Sequence, residues 1–571
     1  MISSEKNSQS TDLLNEEYIK KLPVDCLTSL YNDTLKTILD ELAPMETKII
    51  YPDRNDPWFT SEILAAKRSK RRAERLWRKT KSTEDHNAYK KLCIAQHKKA
   101  STSHRLHISK EIENCGSDQK QLFKVTNKLM RRNLGKKMLP SAESDQELAN
   151  QFSAFFKDKI VNIRKELKID QPLKNYEDIP NKYSQLLNFS DVGHKEVEDM
   201  VLQSGNKSCI LDPIPTSVVK QLAPLLCSPI TEIIKKSLIH GHVPEALKTA
   251  IIRPLIKDYS LDQNQLSSYR PVSNLPFIAK IMEKVVSTRI DEYLSLNNLH
   301  DIDQTAYKKF NSTETALTAI QNDILINMDQ GKATVLVMLD MSAAYDTVDH
   351  GIFLQRLSRY FGFSGAVLKW FTSYVKGRKV KVMIGDKVSI ERELHCGTAQ
   401  GAVLGGKCYN LYTVPLRDIV KTSREIKRKG YADDNNTMIA FEIASEADKA
   451  AVLDHLTDYL DKFSSWMKCN MLKFNEDKTE IIIFSPKQHV NRFRDFSMTL
   501  GKYLIKCSVS VKNLGVHLDN SLTMEKHINA KTKSAHNQIR NIWTLRKYLT
   551  ENAAKSLVNT LVIPKIDYCN N

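Results

Sequence analysis

Thr334-Val335-Leu336-Val337-Met338-Leu339-Asp340 is an apolar run rich in strand-forming residues that ends on a carboxylate, and Tyr431-Ala432-Asp433-Asp434 sets two more carboxylates in a turn. Aspartate is a poor strand residue, so three of them at strand ends call for compensating positive charge. Two Mg²⁺ ions in a nucleotidyl-transfer site are the natural candidate, because hard cations take oxygen ligands and such chemistry uses a pair of them. An isolated Asp-Asp is usually a solvated turn, so the surroundings decide.

Working outward, Tyr345 follows Asp340 by five residues, which brings an aromatic ring close to the carboxylates, where it either excludes a ribose 2′ hydroxyl by steric clash or packs as core. Asp349 is positioned to cap a helix whose Phe353, Leu354, Leu357 and Phe361 form an apolar stripe, and His350 reads as structural. Val380 to Ile384 and Lys387 to Ile390 read as a hairpin closed at Gly385-Asp386. Val218, Val219, Leu222 and Leu225 recur at helical spacing after the Leu211-Asp212-Pro213-Ile214-Pro215 turn. Helices alternate with hairpins, without repeated βαβ units or a phosphate-cradling glycine loop, which predicts an α+β fold.

Toward the amino terminus, Glu147 to Phe156 is amphipathic, with Phe152, Phe155 and Phe156 on one face as core candidates. Earlier still, Lys67, Arg68, Lys70, Arg71, Arg72, Arg75, Arg78 and Lys79 crowd one stretch, predicted as a long helix or helix pair beginning after Thr60, which is placed to cap it. That stretch suits phosphate contact with nucleic acid, and equally a solvated helix face or a nuclear localisation signal. The whole chain of 571 residues carries a formal net charge of +18, which favours a polyanionic partner over a small neutral substrate. Its ten cysteines lack any Cys-x-x-Cys pair, which argues against zinc knuckles or a disulfide framework and for a reducing, intracellular setting. No apolar stretch approaches the ~20 residues that a bilayer crossing needs, so no membrane association is expected.

Taken in order, several segments resemble the reverse transcriptase of a non-LTR retrotransposon (LINE), of the jockey-like and chicken-repeat-like branch. They are Leu211-Asp212-Pro213-Ile214-Pro215, Tyr269-Arg270-Pro271-Val272-Ser273-Asn274-Leu275, Ser312-Thr313-Glu314-Thr315-Ala316-Leu317, the Asp340 turn, Gln400-Gly401-Ala402-Val403-Leu404-Gly405, Tyr431 to Asp434, Leu472 to Glu480, and Asn513-Leu514-Gly515-Val516. The resemblance implies a right-hand polymerase with fingers, palm and thumb and an antiparallel palm sheet, dependent on two Mg²⁺ ions. It would copy an RNA template onto a DNA primer or nicked target DNA from deoxynucleoside triphosphates, in the nucleus and in a cytoplasmic ribonucleoprotein. It further implies that Asp340, Asp433 and Asp434 are the catalytic and metal-binding carboxylates, and that Lys257, Arg270, Tyr345, Gln400 and Gly401 meet the nucleotide. Lys478 would serve either as a proton donor to pyrophosphate or structurally. Oligomeric state is left open.

Two departures from the family pattern stand out. Pro before the Gln, Ser after the Gly and Pro at the following helix start are replaced by Ala399, Ala402 and Gly406, which loosens the nucleotide-facing segment. The ends also differ, because the family begins with an endonuclease and continues beyond the thumb. The expected segments are therefore a connector after a missing endonuclease (1–55), a basic helical region (56–135), a helical connector and linker (136–194), fingers and palm (195–486), and palm end with a truncated thumb (487–571). The alternative to a working polymerase is a decayed or co-opted nucleic-acid-binding remnant.

Overall fold

The computed structural model describes residues 12–46, 57–116, 118–130, 139–167, 185–421, 425–475, 478–500 and 503–570. The linker expected around Pro172 and Pro180 lies outside them, as do Glu476 and Asp477. Helix and sheet are mixed in the way the α+β expectation requires.

Packing divides the chain into two compact units, one of residues 1–45, 138–514 and 520–522, the other of 46–137, 515–519 and 523–571. This grouping differs from the five expected segments, and the reason is hydrophobic. In the first unit the amphipathic helix Val24–Leu42 contributes Leu27, Tyr31 and Leu35 to the same buried cluster as helices Ala223–His240 and Phe277–Leu296. Helix Asp145–Glu166 likewise lays Leu148, Phe152 and Phe156 against Ile252, Tyr269, Val382 and Ile384, with the Phe152 and Tyr269 rings edge to face at 5.1 Å. Neither helix has an apolar face that could be left in water, so each is part of a domain core and not a bare connector.

The centre of the first unit is an antiparallel sheet of four strands. Lys332–Leu339 (β3) is buried along nearly its whole length and lies between Glu480–Phe484 (β11) and Asp434–Glu442 (β9), with Lys427–Tyr431 (β8) at the far edge of β9. Strand numbers follow chain order, the other described strands being Thr249–Ile256 (β1), Tyr269–Asn274 (β2), Met341–Ser342 (β4), Lys379–Ile384 (β5), Lys387–Val388 (β6), Arg392–Glu393 (β7), Lys473–Phe474 (β10), Ser497–Leu500 (β12), Tyr503–Lys506 (β13), Ser510–Asn513 (β14) and Val516–Asp519 (β15). A strand buried on both faces reads as a continuous run of Val, Leu and Met, which is why β3 is legible without alternation. A second sheet runs β2-β1-β5-β6, with β7 also paired to β5 and β1 parallel to β5. Its β5–β6 hairpin pairs Ile384 with Lys387 around Gly385, whose φ of +58° fits the expected two-residue turn.

The second unit is mainly helical. Ser61–Thr80 and Thr83–Asn114 are consecutive helices that pack on one another, and Thr60 Oγ1 accepts the Ile63 N–H at 3.4 Å as the expected cap. Ile108, Ile112 and Leu122 share a core with Ala535, Ile542 and Leu545 of helix Glu525–Leu545 and with Leu557 and Leu561 of helix Glu551–Leu561. Among the described residues no helix is long and apolar enough to cross a membrane, and every cysteine is unpaired.

Candidate nucleotidyl-transfer site

The three carboxylates fall where two turns of the central sheet come together. β3 ends at Leu339, opposite Asn435 of β9, so Asp340 leaves the sheet beside the β8–β9 turn in which Tyr431 pairs with Asp434. Each turn contains an alanine in the left-handed region, Ala343 at φ +54° and Ala432 at φ +59°. Such conformations cost of order 1–3 kcal/mol for a residue with a Cβ and persist only where the surroundings hold them. Ala432 is held from both sides by buried Gln304, whose Oε1 accepts its N–H at 2.9 Å and whose Nε2 donates to its carbonyl at 3.0 Å. Gly430 is gripped by the same segment, donating to the Asp303 carbonyl at 2.7 Å and accepting from the Thr305 N–H at 2.9 Å.

Behind this turn Arg428 of β8, 1% exposed, ion-pairs with Asp301 and donates to Asn435 Oδ1 at 3.1 Å. The clamp formed by Asp301, Gln304 and Arg428 was not legible in sequence, since its members are brought together only by the tertiary fold.

Electrostatic crowding at the carboxylates is plain. Burial, and then the charge of Asp340, raises Asp433, while Arg270 and Lys478 oppose the rise. Asp434 is pushed up to about 6 by desolvation and by the charges of Asp433 and Asp340; the residue itself is exposed, so solvent screening tempers the cost. Asp340 Oδ2 accepts the Asn475 amide at 3.0 Å and lies 3.5 Å from Lys478 Nζ. Among the described residues no three His, Cys, Asp or Glu side chains converge into a ready-made cation cage. Mg²⁺ is ordinarily held by one or two carboxylates completed by water and substrate phosphates. Asp433 and Asp434, both raised by burial and by neighbouring negative charge, therefore suit a divalent cation.

Opposite the carboxylates lies a cluster of cations. Desolvation, followed by the like charges of Lys159, Lys478 and Arg270, lowers the Lys257 ammonium, which also donates to the Ser267 carbonyl at 2.6 Å. The structure thus brings Lys257 and Arg270 together as the motifs implied and adds Lys159 from helix Asp145–Glu166, which sequence reading missed. Its only signal was a lysine one turn beyond the buried Phe152–Phe156 face.

Tyr345 and Gln400 belong to the same region. The Tyr345 ring lies against buried Tyr409, centroids 5.0 Å apart, and its hydroxyl is 2.9 Å from that of Tyr307. Gln400 Nε2 donates to Asp346 Oδ2 at 2.8 Å, and the Gln400 carbonyl accepts the Ser273 N–H at 2.7 Å. Gly401 at φ +111° approaches the Ser273 carbonyl so closely that an added Cβ would stand 2.5 Å from its oxygen, and this is what requires glycine there. The loop beyond it is fixed by Glu283, fully buried, whose Oε2 accepts the Val403 N–H at 2.6 Å and the Leu404 N–H at 3.1 Å. Glu283 also went unread, although a lone acid among Ile281, Met282, Val285 and Val286 is the kind of signal that could have found it. His350 is structural, its ring nitrogen 2.8 Å from the Gly397 carbonyl, and Asp349 Oδ1 caps the following helix through the Gly351 and Ile352 N–H groups.

Asp346 supplies a pH-dependent test. Burial raises its carboxyl from 3.8 to about 6 against the opposing Gln400 hydrogen bond and Lys159. A carboxyl raised in the folded state adds stability that is complete below pH 3.8 and is lost as pH climbs through about 6. Compared with Asp346→Asn, the wild-type chain should therefore lose ground between pH 4 and pH 7, by up to roughly 3 kcal/mol. Paired urea melts at the two pH values check this; a difference that does not change with pH counts against the buried acid.

The eight basic residues of the 67–79 stretch lie in the second unit, on helix Ser61–Thr80. Arg68, Arg71, Arg72, Arg75, Arg78 and Lys79 are exposed, Lys67 and Lys70 half-buried. Arg78 is paired with Glu74 at 2.7 Å, and Trp77 stacks on Tyr89 and His86 of the next helix.

Comparison with known proteins decides what these turns belong to. Residues 257–518 match the family model described as reverse transcriptase (RNA-dependent DNA polymerase), a span that contains both carboxylate turns, Gln400 and Lys478. They are similar to a reverse transcriptase domain. The chain is 24% identical over 568 residues to the RNA-directed DNA polymerase from mobile element jockey of Drosophila funebris, covering 95% of this chain and 60% of that protein. It is 27% identical over 376 residues to the probable RNA-directed DNA polymerase from transposon X-element of Drosophila melanogaster, covering 64% of this chain and 39% of that protein. The chain thus spans between about two fifths and three fifths of the length of these relatives. The resemblance to non-LTR retrotransposon enzymes read from the motifs is borne out by them. Lys257, the candidate triphosphate contact, is the first residue of the matched reverse transcriptase domain, and Asp340, Asp433 and Asp434 lie well inside it.

Proposed function

We propose that this chain is an RNA-directed DNA polymerase that extends a DNA 3′ end on an RNA template, with the β11-β3-β9-β8 sheet as its palm and the β1–β2 ribbon as part of its fingers. The observation that carries the reading is the meeting of Asp340 with the Asp433-Asp434 turn, faced by Lys257, Arg270 and Lys478, inside the span similar to a reverse transcriptase domain. Asp340, Asp433 and Asp434 are the residues that would hold two Mg²⁺ ions. Such ions activate the primer 3′ hydroxyl and bind the triphosphate and its leaving group.

The chain's own groups account for the rest. Lys257 and Arg270, with Lys159 behind them, neutralise the triphosphate, the guanidinium being able to grip two oxygens at once. The Gln400–Gly401 backbone, pressed onto Ser273, lies flat against the nucleotide. Tyr345 sets its ring where a ribose 2′ hydroxyl would project. As the primer oxygen bonds to the α-phosphorus and the α–β bridge breaks, Lys478 is near enough to the carboxylates to give the departing pyrophosphate a proton. The exposed arginines of helix Ser61–Thr80 hold nucleic acid through phosphates, without reading sequence. The reading puts the protein with its RNA in a cytoplasmic particle and with target DNA in the nucleus.

The test is primer extension by the purified full chain on an RNA template with an annealed DNA primer, with Mg²⁺ and with EDTA. Extension that EDTA removes is expected. A folded chain that binds RNA yet adds no nucleotide would instead be the binding remnant.

A further inference from the structure

Tyr307 is an anomaly that the polymerase reading does not absorb. It is half exposed, yet it adopts the left-handed region at φ +60°, a conformation disfavoured for a bulky residue. The preceding residue is fixed at both of its polar atoms: the Ala306 N–H donates to Gln304 Oε1 at 3.1 Å and its carbonyl accepts from Asn410 Nδ2 at 2.8 Å. Gln304 is the same side chain that clamps Ala432 in the carboxylate turn. Held in this way, the Tyr307 ring lies over Gly406, where a Cβ would fall 2.3–2.5 Å from its ring atoms. Gly406 is one of the positions at which the chain departs from its family's motif, and the structure gives that departure a use: only a residue without a side chain leaves room for the ring. From there the Tyr307 hydroxyl reaches the Tyr345 hydroxyl at 2.9 Å, while the Tyr409 ring packs against the Tyr345 ring.

We propose that Tyr307 is a positioning residue for Tyr345, seated on Gly406, and that it sets how firmly the site rejects a ribonucleotide. The inference rests on the reading of Tyr345 as the ring that meets the sugar. A ring tethered at its hydroxyl and backed by Tyr409 cannot swing aside for a 2′ hydroxyl. An untethered ring retains the rotamer freedom to do so. Strain in the Tyr307 backbone is then offset by what the tether does.

The experiment measures single-nucleotide insertion by the full chain on an RNA template and DNA primer, as the ratio of ribonucleotide to deoxyribonucleotide efficiency for one base. Tyr307→Phe removes only the hydroxyl, and Gly406→Ala displaces the ring by a separate route. Each should raise the ratio about fivefold, the factor one hydrogen bond carries. The double variant should do no more than either alone, because both break the same tether. Tyr345→Ala serves as the reference and should raise the ratio further. If Tyr345→Ala raises it while both tether variants, folded by circular dichroism, keep the wild-type ratio, the Tyr307 inference is overturned and the sugar-facing role of Tyr345 survives. If Tyr345→Ala leaves the ratio unchanged, the role of Tyr345 fails and takes the inference with it. A wild-type chain that extends nothing defeats the polymerase reading and the inference alike.

Discussion

Replacing Asp433 by Asn should reduce primer extension at least a thousandfold, on the order of 4 kcal/mol of transition-state stabilisation, while the chain keeps its RNA affinity and its fold. The expectation about folding follows from the same electrostatics. Asp433 is a carboxylate whose ionised form is disfavoured by burial and by Asp340, so an amide of the same shape relieves repulsion in the folded chain at neutral pH. Its thermal midpoint should therefore equal or exceed that of the parent. Activity and stability moving in opposite directions is the signature of a charge kept for chemistry. An Asp433→Asn chain that melts well below the parent, or one that still extends primers, would contradict the assignment. Asp340→Asn is expected to lose extension in the same way, with its Asn475 and Lys478 contacts as the added local cost.

The second large effect lies behind the turn. Arg428→Ala leaves the Asp301 carboxylate, 4% exposed, without its ion-pair partner, and breaking one side of such a pair typically costs about 3–5 kcal/mol. Urea denaturation should show a loss of that size, with a loss of extension as well, because Arg428 braces Asn435 beside the Asp433-Asp434 turn. Arg428→Leu combined with Asp301→Leu should recover much of the stability, since neither member of the buried ion pair is then left without the other. A double variant as unstable as the single one would mean that the packing of the guanidinium, and not its charge, matters here.

These two sites divide sharply in how far the sequence disclosed them. The run from Thr334 to Asp340, the Tyr431–Asp434 turn and the hairpin at Gly385 were legible because each is local: its periodicity, its turn residues and its terminal carboxylates sit within a few positions of one another. The amphipathic face of Phe152 and Phe156 was equally legible, but its partners Tyr269 and Val382 were not, so a helix of the domain core read as a connector. Lys159, Glu283, Gln304 and Tyr307 went unread for the same reason. Each acts on a residue at least 38 positions away, and nothing in its immediate neighbours announces the partner. What a single sequence discloses best is the charge that does the chemistry. What it conceals is the scaffold that aims that charge.

The core of the helical unit joins Ile108 and Ile112 to Ile542 and Leu545, residues separated by about 430 positions of chain. During synthesis at roughly 5–20 residues per second, the early helices leave the ribosome tens of seconds before the segment that completes their core. For that interval the arginine-rich helix Ser61–Thr80 and its neighbour are a nascent polycation with an uncovered apolar flank, standing beside the message from which they are being translated.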